Sequence, residues 1–128
     1  DYDARHFPAR RPAFLSRWVA QPGTTALAFV DGGSIRGFGV IRACRVGTKV
    51  GPLFADDEEV AAALFGALAD KGRDAPVSLD VPEPNRAALA LAGRLGMVPE
   101  FECTRMYLRG DPGLPLDRIY GITAFEVG

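Results

Sequence analysis

The sequence predicts one α/β domain, a mixed and mostly antiparallel central sheet with about three helices packed on it. Three observations carry that reading. Residues 56–71 set Val60, Leu64 and Leu68 on one stripe of a helix behind an acidic first turn. Residues 24–44 form two alternating runs broken by Asp31, Gly32 and Gly33, which is hairpin chemistry. Residues 75–95 then read strand, breaker, helix, an order that lays helices against a sheet. With 128 residues, 48% of them hydrophobic, the chain has the size of one domain and enough apolar side chains for a core.

Taken in order, the first element is a helix over 8–21, where Phe14, Leu15, Trp18 and Val19 share a face, Pro12 is tolerated in the first turn and Pro22-Gly23 closes the run. Strands over 24–30 and 34–44 follow. Residues 46–55 turn at Gly47 and give a short strand over 49–54, in which Gly51-Pro52 interrupts or bulges the ladder, since proline has no N–H to donate. The helix over 56–71 opens with Asp56, Asp57, Glu58 and Glu59, whose carboxylates suit the positive end of the helix dipole, and Gly72 follows it. Residues 75–81 form a buried strand through Val77, Leu79 and Val81, ended by Pro82-Glu83-Pro84. Asn85 caps a helix running to Leu95, and Gly96 stops it. Alternation over 101–108 predicts a strand, and 119–127 a last one.

Composition narrows the function classes. Lys and Arg number 15 against 16 Asp and Glu, so no basic field exists to hold nucleic acid by its phosphates. Apolar stretches such as 60–64 fall far short of the roughly 20 residues that cross a bilayer, and no signal-peptide pattern opens the chain. A soluble, cytoplasmic protein with no membrane partner is expected. Cys44 and Cys103 lie far apart and read as buried free thiols, while the single His6 has no companion at metal-ligand spacing, so no metal site is expected. The chain begins at Asp1 instead of Met, which fits a single domain over 1–128 belonging to a longer protein.

The run NRAALALAGRLGM over 85–97, set between two predicted strands, resembles the N-x-x-A-x-x-L-Y-x-x-x-G-F signature of the GNAT superfamily of acyl-CoA N-acyltransferases, matching at Asn85, Ala88, Leu91 and Gly96. Each has a local reason. Asn caps the helix, the apolar pair faces the sheet, and Gly permits the left-handed turn that leaves the helix. Together with VGPLFAD at 50–56, LDVP at 79–82, TRMY at 104–107 and YGITAFEVG at 120–128, the chain resembles the C-terminal GNAT-like domain of bacterial tandem GNAT proteins. That resemblance implies an upstream GNAT domain, acetyl-CoA as cofactor and a small-molecule or peptide amine as acceptor. It leaves homodimerisation open.

In such an enzyme the strands over 49–54 and 75–81 splay, the pantetheine lies between them, and the pyrophosphate rests on amides at the N-terminus of the intervening helix. The resemblance therefore places cofactor-binding residues at Val50, Gly51, Leu53 and Asn85. The family's Q/R-x-x-G-x-G/A loop aligns Asp56 with Gln or Arg, Glu59 with the first glycine and Ala61 with the second, so only Ala61 matches. Four carboxylates in that turn would repel a polyanion. Ala92 occupies the position of the usual tyrosine acid, leaving Tyr107 or Tyr120 as substitutes or as packing residues. Asp80 is the candidate base, and hydrogen bonding to the 82–84 turn is its structural alternative; Glu83 and Glu102 are further carboxylates. Arg105 shares a face with Phe101, Cys103 and Tyr107 and would pair with Asp80 or Glu126, meet an anionic ligand, or lie exposed at a sheet end. Besides a domain degenerate in cofactor binding, two readings stay open: a domain that holds CoA along 50–55 without the glycines, and a non-catalytic interaction or ligand-sensing module that uses an apolar edge around 119–127.

Overall fold

A computed structural model describes residues 1–72 and 74–128. It contains α1 (Pro12–Ala20), β1 (Thr24–Asp31), β2 (Ser34–Ala43), β3 (Thr48–Ala55), α2 (Glu58–Ala69), β4 (Val77–Leu79), α3 (Arg86–Arg94) and β5 (Ile119–Gly121), with single 3-10 turns at Asp3–Arg5, Asp70–Gly72 and Leu116–Arg118. The sheet runs β1-β2-β3-β4, and β5 pairs with β3 as well. Among the described residues only the β3–β4 pairing is parallel; β1–β2, β2–β3 and β3–β5 are antiparallel. The predicted class, a mostly antiparallel mixed sheet with three helices, is the observed one.

Local chemistry accounts for the best-formed elements. Gly32 and Gly33 take positive φ at 54° and 79°, which makes the β1–β2 hairpin tight at no steric cost. Asp57 caps α2 by accepting the Val60 amide at 2.9 Å. Val60, Leu64 and Leu68 of α2 then descend on Gly37 and Gly39 of β2; a Cβ on Gly37 would lie 2.7 Å from Val60 Cγ1, so the missing side chain lets the helix approach. This face closes over Val50, Leu53, Ala61, Phe65, Ala88 and Leu91 as one apolar core. The opposite face carries a smaller aromatic cluster in which Phe54, Tyr2, Phe38 and His6 stack or meet edge-on. There a buried ion pair joins Arg11 to Asp3 at 2.8 Å, and Arg11 also donates to Thr123.

Several expected elements are shorter or absent. The first helix starts at Pro12 and not at residue 8, because the preceding residues form a separate turn and Arg11 is drawn to Asp3; its apolar stripe is only half-buried. The bulge at Gly51-Pro52 is present as a register shift, with Gly39 opposite Leu53 and Ile41 opposite Val50. Residues 101–108 form no strand, since no sheet edge takes up their backbone. The last strand covers Ile119–Gly121 alone, and the chain then folds back through Gly128 N–H to Ala124 O at 2.8 Å. The terminal apolar edge expected there is thus largely interior: Ile119, Tyr120 and Ala124 are buried. Both cysteines are free, but Cys103 is exposed and Cys44 half-buried, because Cys103 belongs to the segment that joins no sheet. Among the described residues no helix is long and apolar enough to cross a membrane.

Candidate functional site

The sheet does splay where the sequence places the break. β3 and β4 are paired through Thr48–Val77, Lys49–Ser78 and Val50–Leu79, and there the parallel ladder ends. Beyond it β3 takes a different neighbour: Leu53 pairs with Gly121 and Phe54 with Ile119. On the other side of the gap, Ile122 N–H donates to Asp80 O at 3.0 Å. The chain's own residues 119–122 therefore span the space between the diverging strands. The fit is close, since a Cβ on Gly51 would lie 2.6 Å from Thr123 O and 2.7 Å from Ile122 O. Val50 and Leu53 are completely buried beside it.

Asn85 ties this arrangement together. Its Oδ1 accepts the Ala88 amide at 3.0 Å and caps α3, while Nδ2 donates to Asp117 O and to Ile119 O at 3.0 Å. The side chain is buried and satisfied on both ends. One residue thus begins a helix and anchors the segment that fills the gap.

Asp80 sits at the mouth of the splay, with its side chain 8% exposed and in an ion pair with Lys49 at 2.8 Å. Lys49 in turn faces the Phe125 ring. A carboxylate so engaged is held in place by an ammonium ion. Tyr107 stands apart on the irregular 101–108 segment, exposed, its hydroxyl receiving Arg105 Nη1 at 3.3 Å. Arg105 thus lies exposed, one of the alternatives the sequence leaves open, and its partner is Tyr107 instead of Asp80 or Glu126. Gly51, Leu53, Asp80 and Asn85 border the 117–123 segment, Val50 pairs with Leu79 one residue before Gly51, and Tyr107 is outside that group.

The acidic turn before α2 is compensated from within. Asp57 accepts the Val60 amide and also binds Arg36 Nη2 at 2.6 Å. Asp56 accepts the Tyr2 hydroxyl at 2.9 Å and lies near Arg36 and Arg118, and Glu58 pairs with Arg94. The amide end of the helix is turned toward a carboxylate that the chain supplies itself. Tyr120, buried on the gap-filling segment, has its phenol pushed up by burial first and then by Glu58, Asp57 and Asp117, so it stays protonated. Tyr2 is raised for the same leading reason, with Asp56 adding to it.

The residues that sequence reasoning missed are those whose partners lie far along the chain. Arg36, Arg118 and Lys49 carry no local pattern that marks them as mates of Asp56, Asp57 and Asp80. His6 Nδ1 donates to Tyr2 O at 3.0 Å, and its Nε2 is buried without a partner among the described residues.

Comparison with known proteins agrees with this architecture. Residues 1–121 match a family model described as an acetyltransferase (GNAT) domain. The chain is also 27% identical over 119 residues to a holothin acyltransferase of Pseudoalteromonas sp. (strain SANK 73390), covering 92% of this chain and 40% of that protein. It spans about two-fifths of the length of that relative. The splayed β3–β4 pair, the Asn85-capped helix and the family match together show that this chain belongs to the GNAT acetyltransferase domain family.

Proposed function

We propose that this chain is the C-terminal domain of a bacterial, cytoplasmic acyl-CoA N-acyltransferase. Its donor is acetyl-CoA and its acceptor a small-molecule or peptide amine. An upstream GNAT domain holds the cofactor, and this domain shapes the acceptor site or the domain interface. The observation that carries the division of labour is the filled splay: residues 119–122 occupy the space where pantetheine would lie. Asp57 supports it by capping the amides that would receive the pyrophosphate. The residues present do not fit CoA in that place, and no catalytic step is assigned to them. Asp80 and Tyr107 serve structure and surface on this reading. The greater length of the acyltransferase relative is consistent with further domains.

Kinetics on the longer polypeptide test the proposal. Removing the upstream domain abolishes acetyl transfer while this chain keeps its fold by circular dichroism. Turnover by the 128-residue chain alone, at the rate of the longer polypeptide, overturns the division. A non-catalytic interaction module is the second reading, favoured by the exposed apolar residues 98–108.

A further inference from the structure

The sheet ends on one side in a strand with an open edge. β1 closes the order β1-β2-β3-β4, and among the described residues its backbone–backbone hydrogen bonds go to β2 alone. From Thr24 to Val30 it carries no charge and no proline, the devices that ordinarily blunt an exposed edge, and its register shifts only at Phe29/Val30. Along this edge, between β1 and α1, runs a groove of about 440 Å³, with Leu15 and Val19 on the helix wall and Ala26 and Ala28 on the strand wall. No residue of α1 is fully buried, so the chain does not itself cover the helix stripe. On the other face of β1, Leu27 and Phe29 are half-buried against the core under α2. A strand laid along this edge meets apolar side chains on both of its faces, the environment of an interior strand.

We propose that an extended, apolar segment of the upstream domain adds to the sheet along the open edge of β1 and sets alternate side chains in the groove under α1; this rests on the reading that such a domain exists. The row of free N–H and C=O groups supplies main-chain hydrogen bonds, and the groove selects the side chains. Ala26 and Ala28 are small and exposed, which leaves room for larger side chains beside them. The point of attachment selects the occupant. An upstream domain joins this chain through Asp1, and Asp1 and Tyr2 form part of the groove wall. Tyr2 is fixed in place: it is 7% exposed, with its hydroxyl 2.8 Å from Arg36 O and 2.9 Å from Asp56 Oδ1. A segment tethered there meets the groove at an effective concentration of about a millimolar, which a separate molecule would have to match in solution. The interface so formed lies at the sheet edge beyond β2, away from the β3–β4 splay.

Hydrogen exchange on the longer polypeptide is the test. The alternate amides of residues 24–30 that do not bond to β2 are expected to be protected. Ala28 is exposed, so Ala28→Arg leaves the domain's own core intact while putting a charge in the groove. In that variant the same amides should exchange roughly tenfold or more faster, with those of β3 unchanged. A protease site inserted before Asp1 supplies a second readout: after cleavage, protection of the edge falls with dilution, as tethering requires. Free exchange of these amides in the unsubstituted polypeptide overturns the proposal, and so does protection that Ala28→Arg leaves unchanged. Protection that vanishes when the uncut polypeptide is diluted from dimer to monomer, followed by light scattering, overturns it too, by giving the edge to a second copy. Acetyl transfer read on the same samples separates the two claims. Transfer with a freely exchanging edge overturns this proposal alone, whereas a protected edge without transfer upholds it while the acyltransferase reading fails.

Discussion

The two halves of β3 differ in their neighbours, and the difference explains the domain. Over Thr48–Val50 the strand lies parallel to β4 in regular register, with Lys49 and Asp80 linking the pair. Over Leu53 and Phe54 the same strand is antiparallel to β5, where every residue from Ile119 to Gly121 is buried. Between them stands Gly51-Pro52, which donates no proline amide and admits the Ile122 and Thr123 carbonyls against a bare Cα. The first half keeps a parallel strand pair; the second uses the divergence to house residues 119–122. One fold feature thus serves core formation where a cofactor slot was expected.

Substitutions in the second half should destabilise most. Ile119→Ala removes a fully packed side chain facing Phe54 and should cost about 3 kcal/mol in urea unfolding. A loss under about 1 kcal/mol would mean that the segment is loosely held. Gly51→Ala forces the 122–123 backbone to move and should cost about 2 kcal/mol, whereas Gly66→Ala, on open space in α2, should be neutral or stabilising. Equal effects at the two glycines would erase the contrast. Asn85→Ala loses the α3 cap and frees two carbonyls of the gap-filling segment, for about 1.5 kcal/mol and faster amide exchange over 117–122.

The smallest effect concerns the opposite face. Burial holds the His6 pKa below its ordinary 6.5, and nearby Arg118 lowers it further against the pull of Tyr2 O and of Asp3 and Asp56. A lowered folded-state value means that the unfolded chain takes up the proton first. Stability is therefore complete above pH 6.5 and falls as pH drops below it toward the folded-state value. Thermal melts at pH 7.5 and pH 5.5 should show this loss, and His6→Gln should flatten it.

The elements that were legible in the sequence are those whose pattern and partners are local. The α2 stripe and the acidic turn that opens it, the Asn85 cap, the glycine hairpin and the bulge at Gly51-Pro52 each rest on residues within a few positions of one another. Alternation at 101–108 and 119–127 shows β character but not a partner, so it could not tell a paired strand from an unpaired one or from a chain that turns back at Ala124. The site divides along the same line. Val50, Gly51, Leu53 and Asn85 lie near the point where β3 leaves β4, but the segment that packs there comes from residues about 70 positions after β3, and Arg11 meets Thr123 across 112 positions. Long-range ion pairs such as Lys49–Asp80 leave no periodic trace.

The claim that this domain's splay is closed to CoA is tested most directly by titrating acetyl-CoA into the 128-residue chain by calorimetry. No saturable binding is predicted up to millimolar cofactor. A stoichiometric isotherm in the micromolar range would contradict the account, and exchange protection changing at Gly51 and 119–122 would show that the segment yields its place to the cofactor.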